Sequence, residues 1–452
     1  MRPFKRKRGE ASEVVLERMG EKDGIKVAKR KQRLEVLAAK VHHLKEKGLA
    51  EDPREDDVES PFFNFLKQKD ALPAHTNFLE SELRSLFADL QQYVPEAPRR
   101  GRKNVIHWRD AVLYLLMMYK GNRKIKELSS LGGRTTGTVN AAILRMRPVL
   151  HAYLSKRWIE NPARPDAQVI GLQDGNEVAA CYDHTFTKIG RPVGSFDDAK
   201  RFYDVKHKCY AFKKAVVVSG MHPHYAVMFG KAIPGAKHDY VDLKENYKML
   251  LPYLERVKEE KDKTAENKRG LEGKEGKEEK RRASKSSLFS SSSSTTLASS
   301  LSSSWKCSFD KGYVGPEADT PGLRKYMPIK SAQSAEDHYH NKKWSQTHVI
   351  ERYFGRMKQL WGITAERYRL TSETLDQDFE NCALLTNAHI KYHQLTPDDE
   401  TFYLVWKAEI SQEADDKAAS LRLKRTRHSF VEQARAMGLE AFGEAGSPTF
   451  VK

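Results

Sequence analysis

Near residue 165 the sequence changes from helical periodicity to short strand-like segments, and this switch indicates a mixed α/β architecture. The segments NEVAACYDHTF, KCYAFKKAVVVSG and HYAVMFGKAIPG have the composition of strands, and the last two, separated only by a short turn, predict a hairpin. The segment HDYVDLKENYKMLLPYLERVKEE then predicts a helix. Its apolar stripe consists of Leu243, Tyr247, Leu250, Leu251, Leu254 and Val257.

A low-complexity stretch interrupts this pattern. Residues 258–304 pass from a charged segment into a serine run, which cannot bury enough apolar area to offset its chain entropy. The stretch is therefore predicted to be a disordered insertion. Directly after it, WKCSFDKGYVG is compact and apolar. Because a helix precedes the insertion, we expect this segment to be a parallel strand reached by a helical crossover, within the same domain.

An all-helical region precedes the strands. The segment HWRDAVLYLLMMYKG is apolar all round, as a buried bundle helix is. A short amphipathic helix around Leu128 then meets the Gly132-Gly133 turn, and Thr135 or Thr136 can cap a second helix. This is a helix-turn-helix layout, although plain helix packing shows the same pattern. In the DNA-binding interpretation, the start of the second helix supplies the contacts. The predicted contacts are Arg134, Thr136, Thr138 and Asn140.

The formal net charge of +18 indicates a polyanionic partner, with nucleic acid favoured over an anionic membrane surface. No apolar run approaches the ~18 residues of a spanning helix, and the first residues are charged, so we expect an intracellular protein outside the membrane. The cluster at residues 5–8 would act as a nuclear-localisation signal, as a phosphate-binding patch, or as a solvated tail. The segment PRRGRKN, residues 98–104, resembles an AT-hook core.

Three carboxylates stand on different elements of the α/β region. Asp183 lies on the first strand, Asp310 ends the KCSFD segment, and Glu351 lies in the predicted helix KKWSQTHVIERYFGRMKQLWG. Hard divalent ions take a few carboxylate oxygens plus water and substrate phosphate, so this spacing suits a two-metal phosphoryl-transfer site. The residues predicted to share the face of that helix with Glu351 are Trp344, Thr347, Gly355 and Lys358.

Other polar residues compete for a place in the site. Asp239 begins the long helix, where a carboxylate caps free amides and meets the helix dipole favourably, so we expect a structural role. Asp174, in LQDG, is interpreted as a turn residue. Four histidines could be imagined as a zinc site, but their spacing fits no common one. They are His207, His222, His224 and His238.

At these residues the chain resembles the DDE transposases of the PIF/Harbinger type, which are DDE superfamily endonucleases related to bacterial insertion-sequence transposases. The resemblance spans roughly residues 105–395. It rests on YDHT at Asp183, IPGAKHD at residues 233–239, FDKGYVG around Asp310, and IERYFGRMK at residues 350–358, followed by ALLTNAHI. Two positions depart from the pattern: Thr347 stands where an arginine recurs, and His184 where many relatives have glycine.

The resemblance implies a ribonuclease-H-like fold whose acidic triad, here Asp183, Asp310 and Glu351, is both catalytic and metal-binding, with Mg²⁺ or Mn²⁺ as the cofactor. It also implies a DNA contact at Lys358. The partners it implies are transposon-end and target DNA, further copies of the chain, and an accessory DNA-binding protein. The expected location is the nucleus.

We therefore predict an α/β protein with a ribonuclease-H-like mixed sheet and flanking helices, preceded by an all-α helix-turn-helix domain. The predicted segments are a basic, partly disordered arm (1–74), the helix-turn-helix domain (75–160), the catalytic domain (165–395) with its insertion, and a helical tail (396–452). The predicted function is metal-dependent cutting and joining of DNA. The alternatives are a domesticated DNA-binding protein without catalysis and a nuclease without strand transfer.

Overall fold

The computed structural model describes residues 60–95, 105–160, 178–255 and 305–436. Contacts divide the chain into two compact units, residues 1–68 and 69–452. The described part of the first unit is the helix α1, Pro61–Gln68. The basic cluster at residues 5–8, the PRRGRKN segment, Asp174 and the predicted 258–304 insertion lie outside what the structure describes.

The second unit contains a seven-stranded mixed sheet. Its strands are β1 Val178–Lys188, β2 Tyr203–Asp204, β3 Cys209–Ser219, β4 Ala226–Phe229, β5 Ile233–Pro234, β6 Lys306–Ser308 and β7 Lys325–Tyr326. The main path runs β2-β3-β1-β6-β7, and β4 and β5 also pair with β3. β3 is antiparallel to β1 and β4, whereas β6 is parallel to β1 and β7 is parallel to β6. The predicted hairpin and the predicted parallel strand are therefore both confirmed.

Helices flank the sheet. Those before it are α2 Leu72–Thr76, α3 Glu80–Leu90, α4 Trp108–Gly121, α5 Ile125–Leu131 and α6 Thr136–Trp158. Those that follow the first strand are α7 Phe196–Lys200, α8 Asp239–Asn246, α9 Ala335–Thr347, α10 Ile350–Leu360, α11 Gly362–Ala365, α12 Ser372–Ile390 and α13 Pro397–Ala436. No helix in the described ranges is long and apolar enough to cross a membrane.

The core of the sheet is built from the two long strands. Nearly every residue of β1 is buried, and so are Ala215–Ser219 of β3, because helices cover both faces there. The stripe predicted on the helix after the hairpin packs into this core through Leu243, Tyr247, Leu250 and Leu254. Phe309, directly after β6, joins the same cluster.

The two helices around the glycine turn form as predicted. α5 ends at Leu131, and Gly133 takes the left-handed backbone conformation (φ 59°) that favours glycine. Thr135 is the N-cap of α6, its side chain accepting from the Thr138 amide at 3.2 Å. The start of α6 is exposed, whereas its buried side carries the predicted apolar residues Val139, Ile143 and Met146.

A buried ion pair joins this helical region to the helices that follow the sheet. Arg147 on α6 donates to Asp378 on α12 at 2.7 Å. The same carboxylate accepts from the hydroxyls of Tyr119 and Tyr368, each at 2.8 Å. Both helices belong to the unit formed by residues 69–452.

The helix predicted over WSQTHVIERYFGRMK is broken, so that prediction is corrected. α9 ends at Thr347 and α10 begins at Ile350. Side chains from the sheet hold the break: Cys181 donates its thiol to the Thr347 carbonyl at 3.1 Å, and the Ser308 hydroxyl lies 2.9 Å from His348 Nδ1. Trp344 and Thr347 therefore lie on a different helix from Glu351.

Replacing Arg147 by Met should destabilise the protein by about 3–5 kcal/mol, because it leaves the Asp378 carboxylate buried without its cation. Arg84→Met removes an ion pair with Glu80, one turn earlier in α3, that is more exposed than the Arg147–Asp378 pair. It should change the free energy of unfolding by less than about 0.5 kcal/mol. Urea unfolding of both variants at pH 7 measures the difference. Equal effects would contradict the role assigned to the buried pair.

Candidate active site

The three predicted site carboxylates line one cleft, together with Asp204 and Asp239. Asp183 comes from β1, Asp310 follows β6, and Glu351 lies in the first turn of α10. Asp239, the first residue of α8, lines the same cleft. Asp204 lies on β2. Five separate elements therefore deliver one acidic side chain each.

The parallel pairing of β1 with β6 explains why two of these residues meet. Cys181 pairs with Ser308, and Asp183 and Asp310 each lie two residues further along their strand direction. Because side chains alternate along a strand, both carboxylates leave the sheet on the same side. Asp183 is also the sole residue within Val178–Thr187 that is not fully buried.

Asp310 lies two residues after β6 and caps the turn that follows. Its carboxylate accepts from the Lys311 amide at 2.6 Å and so starts the 3₁₀ turn Lys311–Tyr313. The indole of Trp344 donates to the Phe309 carbonyl at 3.1 Å, which steadies the chain just before Asp310. The sequence predicted a strand end here, and these two contacts give the carboxylate its position.

Asp183 is held by two donors. The His184 amide donates to its carboxylate at 2.7 Å and the Tyr313 hydroxyl at 3.0 Å. Burial, followed by the nearby charge of Asp239, raises the pKa of Asp183 to about 7, with Asp310 adding to the effect and His184 opposing it. In the absence of a cation, the site therefore resists full ionisation at neutral pH.

A polar chain lies behind Asp183. Tyr313 is 2.7 Å from His184 Nδ1, and His184 Nε2 is 3.0 Å from Asp242, which accepts from Lys237 at 2.9 Å. Although burial works in the opposite direction, hydrogen bonds from His184 and Lys237 lower the pKa of Asp242. The sequence analysis singled out His184 only as a departure from a family pattern. In the structure it links Tyr313, which donates to Asp183, to the Asp242 carboxylate.

Asp239 begins α8, where its charge meets the helix dipole as expected, but it does not cap the helix. The cap of α8 is His238, whose Nδ1 accepts from the Tyr240 amide at 3.2 Å. The Asp239 carboxylate lies 3.2 Å from the Lys213 ammonium and lines the cleft with the other acids. It contributes the largest charge effect on the pKa of Asp183. Asp239 therefore belongs to the electrostatics of the site.

Basic side chains line the same cleft. Lys206 and His207 come from the turn before β3, and Lys213 from β3 itself. Lys407 comes from α13 and lies 3.0 Å from Glu351 Oε1. No sequence pattern pointed to Lys407, because it lies in the predicted helical tail, far from every motif. A cleft with both charges offers acidic ligands for a cation and ammonium groups for an anion.

The donor chemistry fits a hard divalent ion such as Mg²⁺ or Mn²⁺, which prefers carboxylate oxygens. The side chains are, however, too far apart to bind an ion as they stand. Within the described ranges, no three or more His, Cys, Asp or Glu side chains are grouped closely enough to hold a metal ion. The cleft thus collects suitable ligands without drawing them together.

Lys358, predicted to contact DNA, is instead buried. Its ammonium donates to the carbonyls of Phe186 and Thr364, each at 2.7 Å, and lies 4.8 Å from the Trp406 ring centroid. Burial lowers its pKa to about 7. The helix that carries Glu351 turns this side chain inward, so Lys358 supports the packing beneath the cleft.

The other predicted DNA contacts lie away from the cleft. Arg134, Thr136 and Asn140 are exposed at the start of α6, and Thr138 is half-buried there. Thr347, the position of the missing arginine, is buried and donates to the Trp344 carbonyl at 3.0 Å within α9. None of these five residues lines the cleft.

No protein-family model, no curated protein and no solved structure showed a significant match to this chain.

Asp183→Asn should stabilise the metal-free protein at high pH. Because the folded-state pKa of about 7 lies above the ordinary 3.8, ionising Asp183 costs stability, and the cost grows as pH rises from about 4 to 7. In EDTA at pH 8 we expect a gain of about 1–3 kcal/mol that disappears near pH 4. Denaturant unfolding across this pH range measures it.

Asp416→Asn is the matched control, since this exposed aspartate on α13 lies outside the cleft. It should leave stability nearly unchanged at every pH. A gain for Asp183→Asn that does not depend on pH would contradict the proposed electrostatic cause.

Proposed function

We propose that this chain is a DDE-type, metal-dependent DNA endonuclease and transposase of the PIF/Harbinger type. The observation that carries the proposal is the meeting of Asp183, Asp310 and Glu351 in one cleft. These residues come from three elements widely separated in sequence. Chance surface carboxylates have no reason to converge in this way beside lysines suited to a phosphodiester.

The topology supports a ribonuclease-H-like assignment. One acid lies on the first strand, one follows the parallel strand beside it, and one lies on a later helix. This is the order of elements that the family resemblance implies. The antiparallel β1, β3 and β4 next to the parallel β6 and β7 agree with the same assignment.

Two exposed surfaces support DNA as the partner. The N-terminal end of α6 offers Arg134, Thr136 and Asn140, as the second helix of a helix-turn-helix does. On α13, residues 417–425 are all exposed and include four Lys or Arg and no Asp or Glu. Such surfaces bind phosphates by releasing counterions.

In the proposed mechanism Asp183, Asp310 and Glu351 would hold the Mg²⁺ or Mn²⁺ ions. When bound, these ions would activate a water or a DNA 3′-hydroxyl and stabilise the leaving oxygen. Asp183 must lose its proton to serve as a ligand, and the two donors on its carboxylate orient it for that role. Lys206 and Lys213, which line the same cleft, would contact the phosphodiester.

A domesticated, catalytically inactive DNA-binding protein is the second candidate. The observation that favours it is the lack, within the described ranges, of a closely grouped set of metal ligands. The nucleus, a homo-oligomeric state and an accessory DNA-binding protein remain part of the leading proposal, and both candidates share DNA as the partner.

Asp310→Asn should reduce Mg²⁺- or Mn²⁺-dependent nicking of transposon-end DNA by about a thousandfold or more, because it removes a metal-binding charge. DNA affinity should hold or rise slightly, since repulsion of phosphate is relieved. Asp197→Asn, an exposed aspartate outside the cleft, should retain wild-type nicking. Wild-type nicking by Asp310→Asn would refute the triad, and no nicking by any of the three proteins would favour the domesticated candidate.

Arg134→Glu should weaken DNA binding and flatten the slope of log affinity against log salt concentration by about one unit. Lys156→Glu makes the same charge change at the opposite, exposed end of α6 and should have a much smaller effect. Fluorescence anisotropy with labelled duplex at several salt concentrations measures both. Equal losses would show that general charge, rather than the start of α6, governs binding.

A further inference from the structure

The acidic cleft contains a cation of its own. The Lys407 ammonium lies 3.0 Å from Glu351 Oε1, and both side chains are only partly exposed. An ion pair on an open surface contributes little and forms readily by chance. This one lies in a cleft lined by five carboxylates that would otherwise repel one another, which gives the ammonium a stronger electrostatic setting.

Lys407 is delivered to this place by a fixed helix. Arg356 on α10 donates to Asp399 at 2.7 Å, and Arg352 donates to Glu400 at 3.1 Å, so two ion pairs lock the start of α13 onto α10. The helices approach so closely that a Cβ at Gly355 would overlap the Asp399 carbonyl. The wall of the cleft that carries Lys407 is therefore attached directly to the helix that carries Glu351.

An aromatic platform supports the ammonium. The Lys407 nitrogen lies 4.4 Å from the Tyr403 ring centroid, within range of a cation–π interaction. The Tyr403 hydroxyl is 3.0 Å from the Thr185 hydroxyl on β1, two residues from Asp183, and the ring is buried. Lys407 thus rests on a tyrosine that is anchored to the same strand as the first site carboxylate.

This arrangement accounts for the separation of Glu351 from the other candidate metal ligands. Glu351 directs one carboxylate oxygen to Lys407, and the described residues contain no close group of three metal ligands. A divalent cation that uses Glu351 must compete with the ammonium for the same oxygen. The long, flexible lysine stem allows the ammonium to leave while α13 stays in place.

We propose that Lys407 is an internal counter-ion that holds Glu351 out of the metal site and lowers the affinity of the free protein for divalent cations. The inference rests on the proposed metal site. Lys407 is then a positioning residue that acts through Glu351. The affinity of the site for a divalent cation would depend on α13, the helix that carries Lys407.

The test is Mn²⁺ binding to the EDTA-treated full chain without DNA, followed by electron paramagnetic resonance of free Mn²⁺. Lys407→Met should bind Mn²⁺ about three- to tenfold more tightly than wild type, because the competing charge is gone. Lys407→Arg keeps the charge and should stay close to wild type. Lys417→Met is the matched control: it removes an exposed lysine of the same helix, 3.6 Å from Glu413 and outside the cleft.

A double-mutant cycle ties the effect to Glu351. In the Glu351→Gln background, Lys407→Met should no longer improve Mn²⁺ affinity, because the carboxylate for which Lys407 competes has been replaced by a neutral amide. Lys407→Gln, a second neutral variant, serves if Lys407→Met fails to fold, as judged by thermal melting. Unchanged or weaker Mn²⁺ binding by the neutral variants, an equal gain in the Glu351→Gln background, or no Mn²⁺ binding by any variant would each overturn the proposal.

These outcomes separate the inference from the proposed function. Mn²⁺ binding that depends on Lys407, without any DNA nicking, would support the counter-ion and reject the nuclease. Mn²⁺-dependent nicking combined with Mn²⁺ affinity that is insensitive to Lys407 would support the nuclease and reject the counter-ion.

Discussion

The parallel pairing of β6 with β1 decides where the candidate site forms. It matches Cys181 with Ser308, so the two aspartates that follow reach the same side of the sheet. The chain can return to β1 in parallel only through a crossover, which α8 begins. The first residue of that helix, Asp239, then enters the same cleft. One pairing thus brings together three of the five acids that line the cleft.

Gathering these acids has an electrostatic cost, and the surrounding side chains offset part of it. Asp183 shows the cost directly, because burial and the charge of Asp239 raise its pKa to about 7. Lys213 lies beside Asp239, and Lys407 lies beside Glu351. A cleft that keeps unfavourable acidic charge in partial balance with movable lysines is suited to accept a cation and a phosphate together.

Much of this could be predicted from particular residues. The stripe from Leu243 to Leu254, the glycine turn before α6 and the short strand before Asp310 each follow from local periodicity or turn chemistry. The break before Glu351 could not be predicted, because the Cys181 and Ser308 contacts that hold it come from distant strands.

The inward turn of Lys358 and the arrival of Lys407 were missed for the same reason. Local patterns give no information about which carbonyls a lysine will reach, and Lys358 finds those of Phe186 and Thr364. Lys407 reaches the cleft only because α13 packs on α10, a contact between segments that share no sequence pattern. Tertiary packing, rather than propensity, positions both side chains.

The most direct test of the central claim is anomalous X-ray scattering from crystals of the full chain soaked in Mn²⁺. The account predicts Mn²⁺ within about 2.5 Å of carboxylate oxygens of Asp183 and Asp310, with Glu351 turned away from Lys407 to complete the site. Saturating Mn²⁺ that leaves the cleft empty, or that binds without Asp183 and Asp310, would contradict it.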